Sequence, residues 1–139
     1  MSPPTLKSIL LIDDDEISNL FNKIFINKLD LELQVDVALN GSEAIELLKG
    51  AVIDENFHIL EPCLRLLDIR MPVMDGWDFL KRFTEIKAQK DIKTTLYIVS
   101  SSIDPFEIEK ARADVNVTDY LIKPVNLDEF EALFSKSSA

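Results

Sequence analysis

Four short stretches of this 139-residue chain carry side chains that could do chemistry together: Asp13-Asp14-Asp15, Asp68, Ser100 and Lys123. Each follows or closes an apolar run, namely Ser8 to Ile12, Cys63 to Leu67, Leu96 to Val99 and Tyr120 to Ile122. A polar group that ends such a run is carried to the edge of a strand. If the strands are parallel, their ends share one rim, and that rim is where open α/β sheets bind ligands. Carboxylates crowded there repel and raise one another's pKa unless a cation joins them. Mg²⁺ suits the place: it typically takes one or two carboxylates, keeps several waters and accepts phosphate oxygens. Lys123 adds a point charge for a phosphoryl oxygen, and Ser100 a hydroxyl donor. Taken singly, each residue has an ordinary role: helix caps for Asp13 and Asp14, a cap or loop acid for Asp68, a turn for Ser100, a solvated strand end for Lys123. Their joint placement at strand ends points instead to Mg²⁺-dependent phosphoryl chemistry.

The elements that must position them alternate along the chain. Ser8 to Ile12 is apolar throughout, as a strand buried on both faces should be. A helix follows, with Ile17, Leu20, Phe21 and Ile24 on one stripe. Leu31 to Leu39 alternates apolar with polar, which indicates an edge strand with one wetter face. Asn40 with Glu43 forms a capping box for a second helix carrying Ile45, Leu47 and Leu48, with Gly50 as its stop. Ala51 to Pro62, including the single histidine His58, reads as a long loop. After the Cys63–Leu67 strand, Asp75 or Gly76 starts a helix bearing Phe79, Leu80, Phe83 and Ile86. Asp104-Pro105-Phe106-Glu107 is a second capping box, and Asn126 to Glu129 caps a last helix with Leu127, Phe130, Leu133 and Phe134 inward. Five strands alternating with five helices predict a doubly wound parallel sheet with helices on both faces. The flavodoxin-like order 2-1-3-4-5 is expected by analogy, and the edge-like second strand agrees with it.

Composition narrows the class. The chain is long enough for one domain, residues 1–139, with a core of about 8–134 and a short polar tail at 135–139. Its apolar content of 47% and charged content of 29% fit a globular fold, and no run approaches the ~20 residues of a membrane span. One cysteine, Cys63, and no secretion signal suggest a reducing cytoplasm. A formal charge of −10 argues against nucleic acid as a partner.

Leu66 to Leu80, LLDIRMPVMDGWDFL, resembles the phosphoacceptor region of two-component response-regulator receiver domains, and the likeness extends over about Ile9 to Leu133. It implies a stand-alone, chemotaxis-regulator-like signalling protein without an output domain. Such a protein is not a metabolic enzyme and catalyses only its own phosphorylation and dephosphorylation. By this resemblance Asp68 takes the phosphoryl group from a histidine kinase or phosphotransfer protein. Asp14 binds Mg²⁺ directly, Asp13 acts mostly through water, and the backbone carbonyl of Arg70 completes the protein ligands with Asp68. Lys123 pairs with the phosphate, and Lys123-Pro124 is a cis peptide. Ser100 and Tyr120 are the switch residues: Ser100 is drawn toward the phosphate, and Tyr120 turns into the space it leaves. A downstream protein target then reads the fourth helix, fifth strand and fifth helix. Partner identity and oligomeric state are not encoded in these residues.

Two other readings share some of these features. Asp13-Asp14-Asp15 contains the Asp-x-Asp of haloacid-dehalogenase phosphatases, with Asp13 as nucleophile, although no acidic pair follows Lys123 at another strand end. A receiver-like interaction module that is never phosphorylated would be expected to lack one of the acids. Two positions depart from the family: Arg65 inside the central strand, expected to reach an acid or the solvent, and Asn116 to Asp119 where a small residue is usual.

Overall fold

A computed structural model describes residues 6–29, 33–53, 63–89 and 94–138. Five strands, β1 (Ser8–Ile12), β2 (Gln34–Ala38), β3 (Cys63–Leu67), β4 (Thr94–Ser100) and β5 (Asp119–Ile122), form one parallel sheet in the order β2-β1-β3-β4-β5. Five helices connect and follow them: α1 (Glu16–Lys28), α2 (Gly41–Ile53), α3 (Gly76–Gln89), α4 (Pro105–Ala113) and α5 (Leu127–Ser138).

Strand periodicity divides the core in two. Leu10, Ile12, Cys63, Leu67, Leu96 and Ile98 face α2, α3 and α4, where Phe79 and Phe83 stack. Ile9, Leu11, Leu64, Leu66 and Val99 face α1 and α5, where Phe130 meets Phe25 and Phe134. The three central strands are buried on both sides, which explains their unbroken apolar runs.

Several expectations shift. β2 is the edge strand but spans Gln34–Ala38; residues 31 and 32 of the longer predicted stretch lie outside the described residues. Gly50 does not stop α2, which runs on to Ile53, so only residues 54–62 remain of the expected loop, and these, with His58, lie outside the described residues. The expected polar tail is helical as far as Ser138. Asp104 caps α4 through Phe106 N–H, but Glu107 closes no box, because its carboxylate pairs with Arg70 instead. The boxes at Asn40 and Asn126 form: each asparagine accepts from the N–H three residues on, and Glu43 and Glu129 reach back. Arg65 is fully buried and its head does not reach solvent; the guanidinium lies 5.6 Å from the centre of the Phe83 ring.

The largest departure is α1. Ile17, Leu20, Phe21 and Ile24 point outward, at 66%, 57%, 54% and 41% exposure, while Asn19 and Ile26 are the buried residues.

Candidate functional site

The predicted site residues Asp13, Asp14, Asp68, Ser100 and Lys123 meet at the carboxyl rim, because every one of these residues ends or follows a strand of the same parallel sheet. Asp13 and Asp68 are tied into the rim by their own amides. Asp13 N–H donates to Ala38 O at 3.0 Å, and Asp68 N–H to Ile12 O at 2.8 Å. Carboxylate oxygens of Asp13, Asp14 and Asp68 lie within 4.8 Å of one another. Asp13 and Asp68 are buried and Asp14 is exposed, so the cluster opens to solvent on the Asp14 side.

Lys123 bridges the two buried acids. Its Nζ donates to Asp13 Oδ2 at 2.7 Å and lies 3.6 Å from Asp68 Oδ2. Asp13 Oδ1 accepts from Asp15 N–H, so both its oxygens are engaged. Among the described residues, Asp68 Oδ1 accepts only from the neighbouring Ile69 N–H. Burial pushes the Asp68 carboxyl up to about 6; Lys123 opposes the rise, and the charges of Asp13 and Asp14 add to it. Burial works against the Lys123 charge too, but its hydrogen bond to Asp13 and the nearby acids outweigh that and raise its pKa.

This is the electrostatic condition that a divalent cation relieves. The donors are all hard carboxylate oxygens, with no histidine or thiolate among them, which fits Mg²⁺ rather than a softer metal. Asp15 stands apart: it caps α1, accepting from Ile17 and Ser18 N–H and the Ser18 hydroxyl. Arg70 sends its side chain to Glu107, so only its main chain is left as a prospective ligand.

Two glycines allow the rim to close. An added Cβ at Gly76 would sit 2.7 Å from Asp68 O and 2.9 Å from Ile69 Cα, and at Gly41 2.8 Å from Met74 Cγ. The loop between them turns at Val73, at φ 69°, where Met74 N–H donates to Pro72 O.

On the far side, Ser100 is buried and its Oγ accepts from Ser102 N–H at 3.1 Å. Tyr120 is already inside: it is 6% exposed, and its hydroxyl donates to Ser102 O at 2.7 Å. Tyr120 thus occupies an inward position in this conformation. The Lys123-Pro124 peptide is cis. Sequence reasoning passed over Asn19, whose Nδ2 donates to Asp13 O at 2.9 Å, and Glu107, whose side chain is 9% exposed beneath Arg70. Asn19 lies two turns before Ile26, so the inward face was there to be read as Asn19–Ile26 rather than Ile17–Ile24.

An open, doubly wound sheet with a lysine-bridged acid cluster on its carboxyl rim defines a class of α/β domain built to handle phosphoryl groups. The chain belongs to the response regulator receiver domain family, whose pattern matches residues 9–135. It is 34% identical over 126 residues to the transcriptional regulatory protein CrdR of Helicobacter pylori, covering 91% of this chain and 52% of that protein. It is 29% identical over 136 residues to the probable C4-dicarboxylate response regulator DctR of Halalkalibacterium halodurans, covering 98% of this chain and 53% of that one. The chain thus spans about half the length of these relatives. A two-component response regulator from Cytophaga hutchinsonii superposes with a TM-score of 0.81 at 28% identity, over 96% of this chain and 98% of that one. The protein is a receiver domain of the two-component type, and its acid pocket fits a phosphoacceptor site. No helix among the described residues is long and apolar enough to cross a membrane.

Proposed function

We propose that Asp68 accepts a phosphoryl group from a phosphohistidine on a histidine kinase or phosphotransfer protein. The observation that carries this is the Lys123 bridge. Lys123 and Asp15 N–H hold both oxygens of Asp13, whereas Asp68 keeps an oxygen that, among the described residues, has no bond closer than the 3.6 Å approach of Lys123. Asp13 is thereby a poor nucleophile and Asp68 a good one. Asp13, Asp14, Asp68 and the Arg70 carbonyl would hold Mg²⁺, which supplies positive charge for the equatorial oxygens in flight. An Asp68 oxygen attacks phosphorus in line, the P–N bond breaks, and the electron pair leaves with the imidazole. Lys123 follows the incoming charge, exchanging carboxylate partners for phosphoryl oxygens. Hydrolysis of the resulting acyl phosphate ends the signal.

The outward stripe of α1 supports a helical donor. Ile17, Phe21, Phe25, Pro124, Val125 and the stem of Lys123 line an apolar hollow of about 280 Å³ directly beside the acid pocket. A helix laid on α1 would cover these side chains and bring a histidine to the rim.

Readout runs through Ser102. Its N–H donates to Ser100 Oγ, its carbonyl accepts from Tyr120, and its Oγ accepts from the N–H of Asp104, the cap of α4. A phosphoryl oxygen that takes the Ser100 hydroxyl pulls on all three, and so on the start of α4. The surface of α4, β5 and α5, where Phe106 and Ile122 stand exposed, then presents itself differently to a downstream protein.

Acetyl phosphate with Mg²⁺, read by intact mass and peptide mapping, tests the acceptor. Label should appear on Asp68 alone; label on Asp13, or undiminished labelling of Asp68→Asn, overturns the assignment. Ser100→Ala should still be labelled, while its amide shifts from Phe106 to Lys110 and at Tyr120 respond far less to beryllofluoride than those of the wild type.

A further inference from the structure

Asn19 is a polar residue turned into the protein from the first half of a helix whose apolar side chains there turn out. It is 5% exposed, and its Oδ1 is buried with no hydrogen-bond partner among the described residues. Asparagine is a weak helix former, and an amide is costly to bury when half of it is unmade. Its position is therefore explained by the half that is made, the 2.9 Å bond from Nδ2 to the Asp13 carbonyl. Asp13 is the first residue past β1, so its carbonyl has left the sheet at the point where the chain must turn into α1.

We infer that Asn19 is a positioning residue for the metal-binding acids. The inference rests on the receiver reading of the pocket. With this bond, every polar group of Asp13 is assigned. The N–H goes to Ala38, Oδ1 to Asp15, Oδ2 to Lys123 and the carbonyl to Asn19. The carbonyl is the one that matters for Asp14. It belongs to the peptide plane joining Asp13 to Asp14, and fixing that plane fixes the Asp14 N–Cα bond, so that only the rotation φ is left to set the direction of the Asp14 Cα–Cβ bond. Asp14 is exposed, so packing restrains its side chain less than those of the two buried acids. Asp15, as the cap of α1, holds the other end of the same short turn. Asn19 and Asp15 together keep a solvent-exposed carboxylate aimed at the two buried ones.

Partners behind the ligands of a metal site, when removed, typically weaken binding about 10–100-fold. Titration calorimetry with Mg²⁺ alone should show the dissociation constant of Asn19→Leu raised about tenfold over wild type. Its melting temperature in the absence of metal should stay close to wild type, because leucine keeps the branched shape of asparagine and removes the orphaned Oδ1, which offsets the donor lost to the Asp13 carbonyl. Asn19→Ala serves if leucine is not tolerated, and Ile26→Ala, on the same buried face, is the stability control. Ile26→Ala should melt lower yet bind Mg²⁺ as wild type does. The inference is overturned if both Asn19 variants bind within twofold of wild type, or if affinity across all three variants merely tracks melting temperature. A wild-type chain that binds no Mg²⁺ would instead sink the receiver reading of the pocket.

Discussion

Helices α1 and α3 carry the same kind of pattern and use it in opposite ways. On α3, Phe79, Leu80 and Phe83 are buried to 2% exposure or less, and Lys81, Arg82 and Glu85 face water. On α1, Ile17, Leu20, Phe21 and Ile24 have the same helical spacing and face water, with Asn19 and Ile26 inside. The difference lies beneath the helices. α3 lies over Leu67, Leu96 and Ile98, an apolar floor. The first half of α1 lies over the turn that carries the acids, where an inward aliphatic side chain would leave the Asp13 carbonyl without a donor. Only its second half, with Phe25 and Ile26, reaches apolar neighbours such as Phe130. Periodicity therefore defines a face, and the surface underneath decides which way that face turns.

The largest effect that could break this contrast is on stability. Phe79→Ala should cost about 3–5 kcal/mol in denaturant melts, as deletion of a packed core aromatic does. Phe21→Ala should cost less than about 0.5 kcal/mol. A Phe21 loss of several kcal/mol would mean that the α1 stripe is part of the core after all.

The contrast sharpens when the readout is phosphoryl transfer. Phe21→Ala should slow transfer from a phosphohistidine protein about tenfold, roughly 1.4 kcal/mol. Labelling by acetyl phosphate, which needs no docking surface, should be unchanged. Equal slowing with both donors would place the effect in the acid pocket, not on α1.

The smallest effect concerns the rim itself. With its pKa raised to about 6, Asp68 binds more protons folded than unfolded between about pH 4 and 6. Stability from this group is therefore present at low pH and lost as pH rises through about 6. Metal-free Asp68→Asn should be more stable than wild type at pH 7–8, on the order of 1 kcal/mol after allowance for solvent screening. That gap should close toward pH 4, and adding Mg²⁺ should stabilise wild type and spare the variant. A gap independent of pH would exclude charge crowding as its cause.

Much of the site was legible because parallel strands put sequence-distant ends on one rim. Asp13, Asp68, Ser100 and Lys123 each mark where an apolar run stops, and stopping points need no tertiary knowledge. The sheet order came by analogy with the flavodoxin-like arrangement, and the alternation of β2 against the unbroken apolar runs of β1, β3 and β4 agreed with it. What stayed hidden depends on the neighbour underneath. Asn19 reads as a solvated helix residue until the Asp13 carbonyl is seen below it. Glu107 fits a capping box until Arg70 arrives from 37 residues away. Gly50 reads as a stop, yet α2 continues through it to Ile53, and a single glycine costs an otherwise sound helix only ~1 kcal/mol.

The loop after Asp68 has a mooring on each side, and the two are unequal. Toward α2, Gly41 N–H donates to Met74 O at 2.9 Å, with space so full that one added carbon would lie 2.8 Å from Met74 Cγ. Toward α4, the tie among the described residues is a 3.3 Å contact between Arg70, whose side chain is 76% exposed, and Glu107. A span fixed rigidly at one pier and loosely at the other moves at the loose one. Under the proposed phosphorylation of Asp68, a displacement starting there would meet less resistance toward α4 than toward α2, and the yielding abutment would set the direction of signalling.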